Sequence, residues 1–313
     1  MSRAAKPVVP SRVGSLVFGH GPVRGAATGW RAYVALTKPR IIELLLVTTV
    51  PTMVLAEGGW PGWWLVAVTV AGGALAAGGA NAINMVIDRD IDRLMSRTQQ
   101  RPLVTGALTP RRALAFALSL EATAFAVLWV GANLLSAMLA ISATTFYVVV
   151  YSLWLKRTSR QNIVIGGAAG AVPVLVGWAA VTNGLAPAPW LLFAVVFFWT
   201  PPHFWALAIR HVDDYRSAGV PMLPAVVPIR QTVWSMVAYT VVVVALTLLL
   251  PFVANGLGWM YGVTAVSFGA AFLIATASIA RKPTPERAMS VFSFSITYVT
   301  ALFAALMVDA LVG

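Results

Sequence analysis

Nine long apolar stretches, separated by shorter polar connections, dominate the chain after residue 40. They run approximately over residues 41–56, 63–83, 113–130, 134–155, 162–181, 190–209, 232–253, 257–280 and 288–311. An α-helix needs about 20 apolar residues to cross the hydrocarbon core of a bilayer, and it satisfies its own backbone hydrogen bonds there. The pattern therefore predicts an all-α polytopic membrane protein with nine transmembrane helices.

The positions of the basic residues predict how these helices are oriented. All 22 Lys and Arg residues precede the first stretch or lie in connections that follow an even-numbered stretch. Connections on the opposite side, such as 57–62 and 131–133, contain none. Because cytoplasmic loops of membrane proteins collect Lys and Arg, we expect the N-terminus to be cytoplasmic and the C-terminus to be outside. The net charge of +12, which in a soluble protein would suggest nucleic-acid binding, then reflects membrane orientation.

Two further features describe the organisation of the chain. Residues 1–37 are polar and basic and contain no long apolar run, so we expect a disordered cytoplasmic tail before an intramembrane domain at 38–313. The two long cytoplasmic loops follow helices 2 and 6, which predicts two four-helix units plus a ninth helix around a central cavity.

The chain contains no cysteine, which excludes disulfides and thiolate metal sites. The composition and the lack of a transit peptide favour a bacterial plasma membrane.

The acidic residues are concentrated in the same two loops. Asn84, Asp88 and Asp92 follow each other at intervals of four residues, which places them on one face of a helix that continues helix 2. Three such oxygen side chains suit a hard divalent cation such as Mg²⁺, which is commonly completed by substrate phosphates. The alternative is that the aspartates solvate the end of the helix and pair with nearby arginines. The second loop carries Asp213 and Asp214.

The segment that contains the first acidic cluster resembles a known family signature. The residues that carry the resemblance are Asn84, Asp88, Asp92, Met95, Arg97, Thr98, Arg101 and Gly106. Their types and spacing resemble the signature of the UbiA superfamily of intramembrane prenyltransferases. The resemblance implies that the Asn and Asp residues hold Mg²⁺ on a prenyl diphosphate.

Two other segments resemble one branch of that superfamily, which farnesylates haem. The first is residues 36–40, and the second comprises residues 199–208 and 213–224, which include the sequences Pro201-Pro202-His203 and Asp213-Asp214-Tyr215-Arg216. The resemblance implies transfer of the farnesyl group of farnesyl diphosphate to a vinyl group of haem B, with addition of water, to make haem O. Many superfamily members carry two aspartates four residues apart in the second loop, whereas Asp213 and Asp214 are adjacent. Which of the two aspartates binds the metal therefore stays open. Whether haem O is delivered to a haem A synthase or to terminal oxidase assembly also stays open.

The candidate site residues follow from the motifs and the resemblance together. The candidate metal ligands and catalytic residues are Asn84, Asp88, Asp92, Asp213 and Asp214. The candidate substrate-binding residues are Lys38, Arg40, Arg97, Arg101, Lys156, Arg157, Tyr215 and Arg216. Lys38 and Arg40 could instead be membrane anchors. His203, also a catalytic candidate, either contacts haem or transfers a proton, or it forms a hydrogen bond between helices.

Two other functions fit parts of the pattern. The same machinery could prenylate an aromatic acid or a quinone precursor, although the segments that contain His203 and Asp213 argue against it. A secondary transporter of an anionic substrate could also line its path with acids and arginines. Transporter sites usually lie near the middle of the membrane, whereas these clusters lie at one face, with the active-site loops on the cytoplasmic side. This asymmetry favours catalysis.

Overall fold

The structure, a computed structural model, describes residues 29–313, except for the side chains of residues 40, 41 and 43–46. The α-helices are α1 Trp30–Thr37, α2 Pro39–Glu57, α3 Trp63–Ile87, α4 Arg89–Leu94, α5 Pro110–Gly131, α6 Leu134–Thr145, α7 Lys156–Thr158, α8 Asn162–Thr182, α9 Pro187–Arg210, α10 Val212–Ser217, α11 Leu223–Val226, α12 Ile229–Leu249, α13 Trp259–Arg281 and α14 Pro285–Val312. A π-helical segment, Phe146–Leu155, joins α6 to α7, and a 3-10 turn, Leu250–Phe252, follows α12.

The long helices confirm a polytopic α-helical membrane protein. Within residues 29–313, eight helices are long and apolar enough to cross a membrane. They coincide with eight of the nine predicted stretches, and the continuous helix Leu134–Thr158 includes the π-helical segment. The remaining stretch, 41–56, lies within α2, which is not one of these eight. The count of nine spans and their grouping into two four-helix units therefore stay predictions.

Helix α1 corrects part of the expected tail. Residues 30–37 form a helix rather than disordered chain, and its buried side chains, Ala32 and Leu36, are four residues apart on one face. Tyr33 on the same helix contacts Phe116 of α5 edge-to-face, with 5.1 Å between ring centres. A helix of eight residues is too short to be stable by itself, so α1 depends on packing against α3 and α5. The segment has no long apolar run, and the sequence pattern therefore did not predict the helix. Residues 1–28 lie outside the described residues, and the prediction for them stays untested.

Small residues set the spacing between α3 and its neighbours. A Cβ atom built at Gly72 would lie 2.5 Å from Leu128 Cγ, and one at Gly79 would lie 2.5 Å from Glu121 Oε1. Glycine at both positions therefore lets α5 approach α3 closely, as small residues commonly do between membrane helices. Large aromatic side chains instead fill the opposite part of the bundle, where Trp205, Tyr261, Phe272, Tyr298 and Phe303 are fully buried.

Asp309 near the end of α14 caps the beginning of α13. Its Oδ2 atom accepts hydrogen bonds from the backbone N–H groups of Gly258 and Tyr261, both at 2.8 Å. Replacing Asp309 with Ala would remove the partner of both donors and leave the buried N–H of Tyr261 unpaired, which we expect to cost about 1–2 kcal/mol of folding free energy. Thermal unfolding in detergent should then show a lower midpoint. Asp213→Ala, at an exposed position, serves as the control, and equal midpoints for the two variants would contradict the capping role.

Candidate active site

A cavity of about 360 Å³ lies among α2, α3, α8, α9 and the helix that contains the π-helical segment. Charged and polar side chains line one end of it: Lys38, Asn84, Asp92, Arg97, Arg101, Lys156 and Tyr215. Small and apolar residues line much of the rest, including Gly73, Ala76, Ala77, Ala140, Ala143, Gly170 and Val176. A cavity that is charged at one end and apolar beyond it suits a ligand with an anionic head and a hydrocarbon chain.

The first acidic cluster keeps its helical spacing across the junction between α3 and α4. The backbone N–H of Asp88 donates to Asn84 O at 2.9 Å, and that of Asp92 donates to Asp88 O at 2.8 Å. The predicted common face is therefore confirmed. Asn84 Nδ2 donates to Asp88 Oδ2 at 2.7 Å and to Ser152 Oγ at 3.0 Å. This contact ties the acidic cluster to the π-helical segment.

Cations pair with both aspartates of this cluster. Arg101 Nη1 donates to the two carboxylate oxygens of Asp92 at 2.8 and 2.6 Å, and Lys156 Nζ donates to Asp88 Oδ2. Arg157 Nη2 lies 3.8 Å from Asp88 Oδ1. Asp88 Oδ1 is nevertheless buried without a hydrogen-bond partner. The structure thus contains the pairing of aspartates with nearby cations, which was one of the two interpretations of the sequence.

Lys38 adds a further positive group to the same end of the cavity. It adopts a left-handed backbone conformation, with φ 52°, between α1 and α2, and its Nζ donates to Asn84 Oδ1 at 3.2 Å. Burial lowers the pKa of Lys38 to about 7, and the positive charges of Arg101 and Lys156 act in the same direction. A bound anion would favour the protonated amine. A left-handed conformation is uncommon for residues other than glycine, and here it places the side chain at the cavity.

The second acidic loop lies beside the first, but its carboxylates do not join the cluster. Asp214 accepts a hydrogen bond from Ser96 Oγ at 2.9 Å, whereas Asp213 is almost fully exposed and lies 3.5 Å from Arg216. Among the side chains that the structure describes, no three from His, Asp or Glu converge on a position that could hold one ion. Of the two adjacent aspartates, Asp214 is the one that contacts the first loop. Membership of either in a metal site stays a prediction.

The geometry around His203 favours a structural role, in which the residue forms a hydrogen bond between helices. Its ring is buried between Trp199 and Phe292, with ring centres 4.3 and 4.4 Å away, and Nδ1 lies 2.7 Å from Ser295 Oγ. His203 does not line the cavity, although Trp199 does. His203 therefore connects α9 to α14. His211, at the end of α9, is partly exposed, and burial lowers its pKa.

The remaining candidates for substrate binding separate into two groups. Tyr215 lines the cavity together with the cations already named, and burial raises the pKa of its hydroxyl. Arg157 instead contacts Asp90, with nitrogen–oxygen distances of 2.7 and 2.8 Å, and the hydrogen bond holds the pKa of Asp90 below its usual value. Arg216 is exposed and donates to Ala225 O at 3.3 Å. The side chain of Arg40 lies outside the described residues.

The π-helical segment supplies site residues that sequence reasoning missed. Tyr147 and Tyr151 line the cavity and stack on each other with ring centres 5.3 Å apart. Ser152, whose hydroxyl contacts Asn84, donates to Tyr147 O at 2.9 Å. Ser152 precedes Lys156 by four residues, and this spacing could have indicated that the two side chains lie on one face of the helix. Nothing in the sequence indicates the wider π-helical turn. Such segments occur frequently at functional sites.

The fold and this arrangement can be compared with known proteins. The sequence profile of the UbiA prenyltransferase family matches residues 45–305. This chain belongs to the UbiA prenyltransferase family. The protohaem IX farnesyltransferase of Pseudarthrobacter chlorophenolicus is 53% identical over 294 residues, which cover 92% of each chain. Membership confirms the resemblance of the sequence motifs and makes this chain a multi-pass membrane prenyltransferase.

Solved structures show the same UbiA fold at low sequence identity. A digeranylgeranylglyceryl phosphate synthase aligns with a TM-score of 0.74 at 18% identity and covers 91% of this chain and 99% of its own. A UbiA homologue from Archaeoglobus fulgidus, bound to DMAPP and Mg²⁺, aligns with a TM-score of 0.63 at 18% identity, over 87% of this chain and 99% of its own. These UbiA neighbours support the all-helical architecture.

Proposed function

We propose that this chain transfers the farnesyl group of farnesyl diphosphate to a vinyl group of haem B, with addition of water, to make haem O. The observation that carries the proposal is the cavity, which has cations and carboxylates at one end and small apolar residues beyond them. The acceptor follows from the 53% identity to a protohaem IX farnesyltransferase. The same architecture with another acceptor would prenylate an aromatic acid or a quinone precursor.

The charged end of the cavity is the proposed diphosphate site. Arg97 lines it and has no carboxylate partner within the described part of the chain. Arg101 and Lys156 line it as well, but they contact Asp92 and Asp88. Guanidinium groups bind phosphate oxygens through paired hydrogen bonds. An entering diphosphate would therefore be held by Arg97 and would compete with the aspartates for Arg101 and Lys156.

The residues around Asp88 fit a Mg²⁺ ion. Asp88 Oδ1 is a buried carboxylate oxygen without a hydrogen bond, while Asn84 and Asp92 lie on the cavity wall. These are the hard oxygen ligands that Mg²⁺ prefers, and a family member of the same fold is bound to DMAPP and Mg²⁺. Asn84, Asp88 and Asp92 would hold the ion, with Asp214 as the second-loop candidate. Mg²⁺ would supply charge stabilisation for the departing diphosphate.

The cavity accounts for the chemistry that follows loss of diphosphate. Cleavage of the carbon–oxygen bond leaves an allylic cation, which the apolar wall shields from water and which the faces of Tyr147 and Tyr151 can stabilise. The terminal carbon of a haem vinyl group forms the new carbon–carbon bond. Water then adds to the cation beside the porphyrin and releases a proton. Farnesyl diphosphate, haem B and water thus give haem O, diphosphate and a proton.

The orientation in the membrane is part of the proposal. Every Lys and Arg residue falls on one predicted side, and the charged end of the cavity contains residues from the loops of that side. We therefore place the diphosphate site at the cytoplasmic face, in a bacterial plasma membrane. The product haem O would be available in the bilayer to a haem A synthase or to terminal oxidase assembly.

The function is tested by incubating purified protein in detergent with haem B, farnesyl diphosphate and Mg²⁺. Mass spectrometry should show haem that has gained one farnesyl group and one hydroxyl group, and EDTA should abolish this product. Unchanged haem alongside prenylation of an added aromatic acid or quinone precursor would instead assign the second acceptor class. Transport of an anion into proteoliposomes without any chemical change would contradict both enzymatic proposals.

A further inference from the structure

Among the four glycines that line the cavity, Gly73 and Gly170 have open space at their Cβ positions, unlike Gly166 and Gly167. Gly73 lies on α3 and Gly170 lies on α8. Gly73 precedes Asn84 by eleven positions on the same helix, which corresponds to about 16 Å along the helix axis. A prenyl chain whose diphosphate lies at Asn84 would therefore bring its far end towards Gly73.

Neither glycine is required by helix packing. A Cβ atom built at Gly73 or Gly170 would meet no other atom within 4 Å, and neither residue has a positive φ. Other glycines on the same helices differ: a Cβ at Gly72 would lie 2.5 Å from Leu128, and one at Gly167 would lie 3.0 Å from Thr200. Gly73 is half-buried, Gly170 is exposed, and both line the cavity, so a side chain at either position would have open space at the cavity wall.

We propose that Gly73 and Gly170 set the length of the prenyl chain that the cavity accepts, because their missing side chains leave room for the end of a farnesyl group. The proposal rests on the proposed function, since it assumes that the diphosphate binds at the charged end. A side chain at Gly73 would shorten the cavity about 16 Å from Asn84 along the helix axis, and one at Gly170 would narrow the cavity from α8. A shorter chain would then still bind, whereas the last isoprene unit of a farnesyl group would meet the new side chain.

The experiment measures binding of prenyl chains of different length and does not require haem. Geranyl, farnesyl and geranylgeranyl thiodiphosphates, which resist cleavage, are titrated with Mg²⁺ into wild type and into the graded series Gly73→Ala, Gly73→Val and Gly73→Leu, with Gly170→Leu as a second site. We expect Gly73→Leu and Gly170→Leu each to raise the ratio of geranyl to farnesyl affinity by about tenfold, with smaller changes for the shorter side chains.

Gly262→Leu is the matched control, because Gly262 lies in the long helix α13, has open space at its Cβ position and does not line the cavity. An unchanged affinity ratio in folded Gly73→Ala, Gly73→Val and Gly170→Leu would overturn the proposal, as would an equal shift in Gly262→Leu. A shifted ratio together with no transfer to haem would support the assignment of chain length and contradict the proposed acceptor. If wild type bound none of the three compounds, both the diphosphate site and this proposal would fall.

Discussion

Asp88→Asn is expected to lower kcat/KM for farnesyl transfer by about 100- to 1000-fold while the protein stays folded. Asp88 carries the buried oxygen without a hydrogen bond, and its other oxygen accepts from Asn84 and Lys156. Asparagine keeps the size of the side chain and removes its charge. The loss should therefore come from weaker binding of Mg²⁺ rather than from a disrupted helix. Steady-state kinetics over a range of Mg²⁺ concentrations, together with thermal unfolding, measure both effects.

A double variant separates a metal ligand from a counterion of Lys156. If Asp88 only neutralises Lys156, Asp88→Asn combined with Lys156→Gln removes both charges and should restore much of the lost thermal stability, with the Mg²⁺ requirement of wild type. If Asp88 binds Mg²⁺, Asp88→Asn and the double variant should both need a higher Mg²⁺ concentration for half-maximal activity than Lys156→Gln alone, because both lack the metal ligand. Glu286→Gln, at an exposed carboxylate at the start of α14, is the control and should keep normal turnover. Near-normal activity of folded Asp88→Asn would contradict the metal assignment.

Arg97→Gln is expected to lower kcat/KM for farnesyl diphosphate by about 10- to 100-fold, which corresponds to about 1.4–2.7 kcal/mol of lost binding energy. Arg97 is the cavity-lining arginine without a carboxylate partner among the described side chains, so its guanidinium group is available to an anion. Because the contact is to a group of the substrate itself, most of the change should be in KM. Initial rates at varied farnesyl diphosphate and saturating haem B measure it.

Arg93 provides the matched comparison for Arg97, since it lies four residues earlier, is exposed and does not line the cavity. Arg93→Gln should leave KM for farnesyl diphosphate close to that of wild type. Arg97→Lys keeps the charge but loses the paired hydrogen bonds, and we expect it to recover only part of the affinity. Equal effects of Arg93→Gln and Arg97→Gln would show that only net charge matters at this end of the cavity.

The sequence predicted the parts of the site that lie close together in the chain. Asn84, Asp88 and Asp92 share a helical face because helical hydrogen bonds continue through Asp88. Contacts between distant segments were not predictable in the same way. Lys156 follows Asp88 by 68 positions, and Ser96 contacts Asp214 at a separation of 118. Such pairs depend on how the helices pack, and the π-helical segment further changes which side chains of its helix face the cavity.

His203 shows the limit of reasoning from a motif. Its residue type and its place in an apolar stretch are compatible with chemistry or with packing, and the structure places it between Trp199 and Phe292. The short helix α1 is an element that the sequence pattern did not predict at all. Its pattern is too short to indicate a helix, and packing against α3 and α5 stabilises it.

The sequence by itself determined the all-α membrane class, the approximate limits of the long helices, the predicted orientation and the family. These properties follow from local hydropathy, from charge distribution and from short-range spacing, which the order of residues contains directly. Only the tertiary structure decided which cation pairs with which aspartate, that His203 lies off the cavity, and that the cavity runs from Asn84 towards Gly73. Those features depend on contacts between helices far apart in the chain, which become defined only when the helices pack.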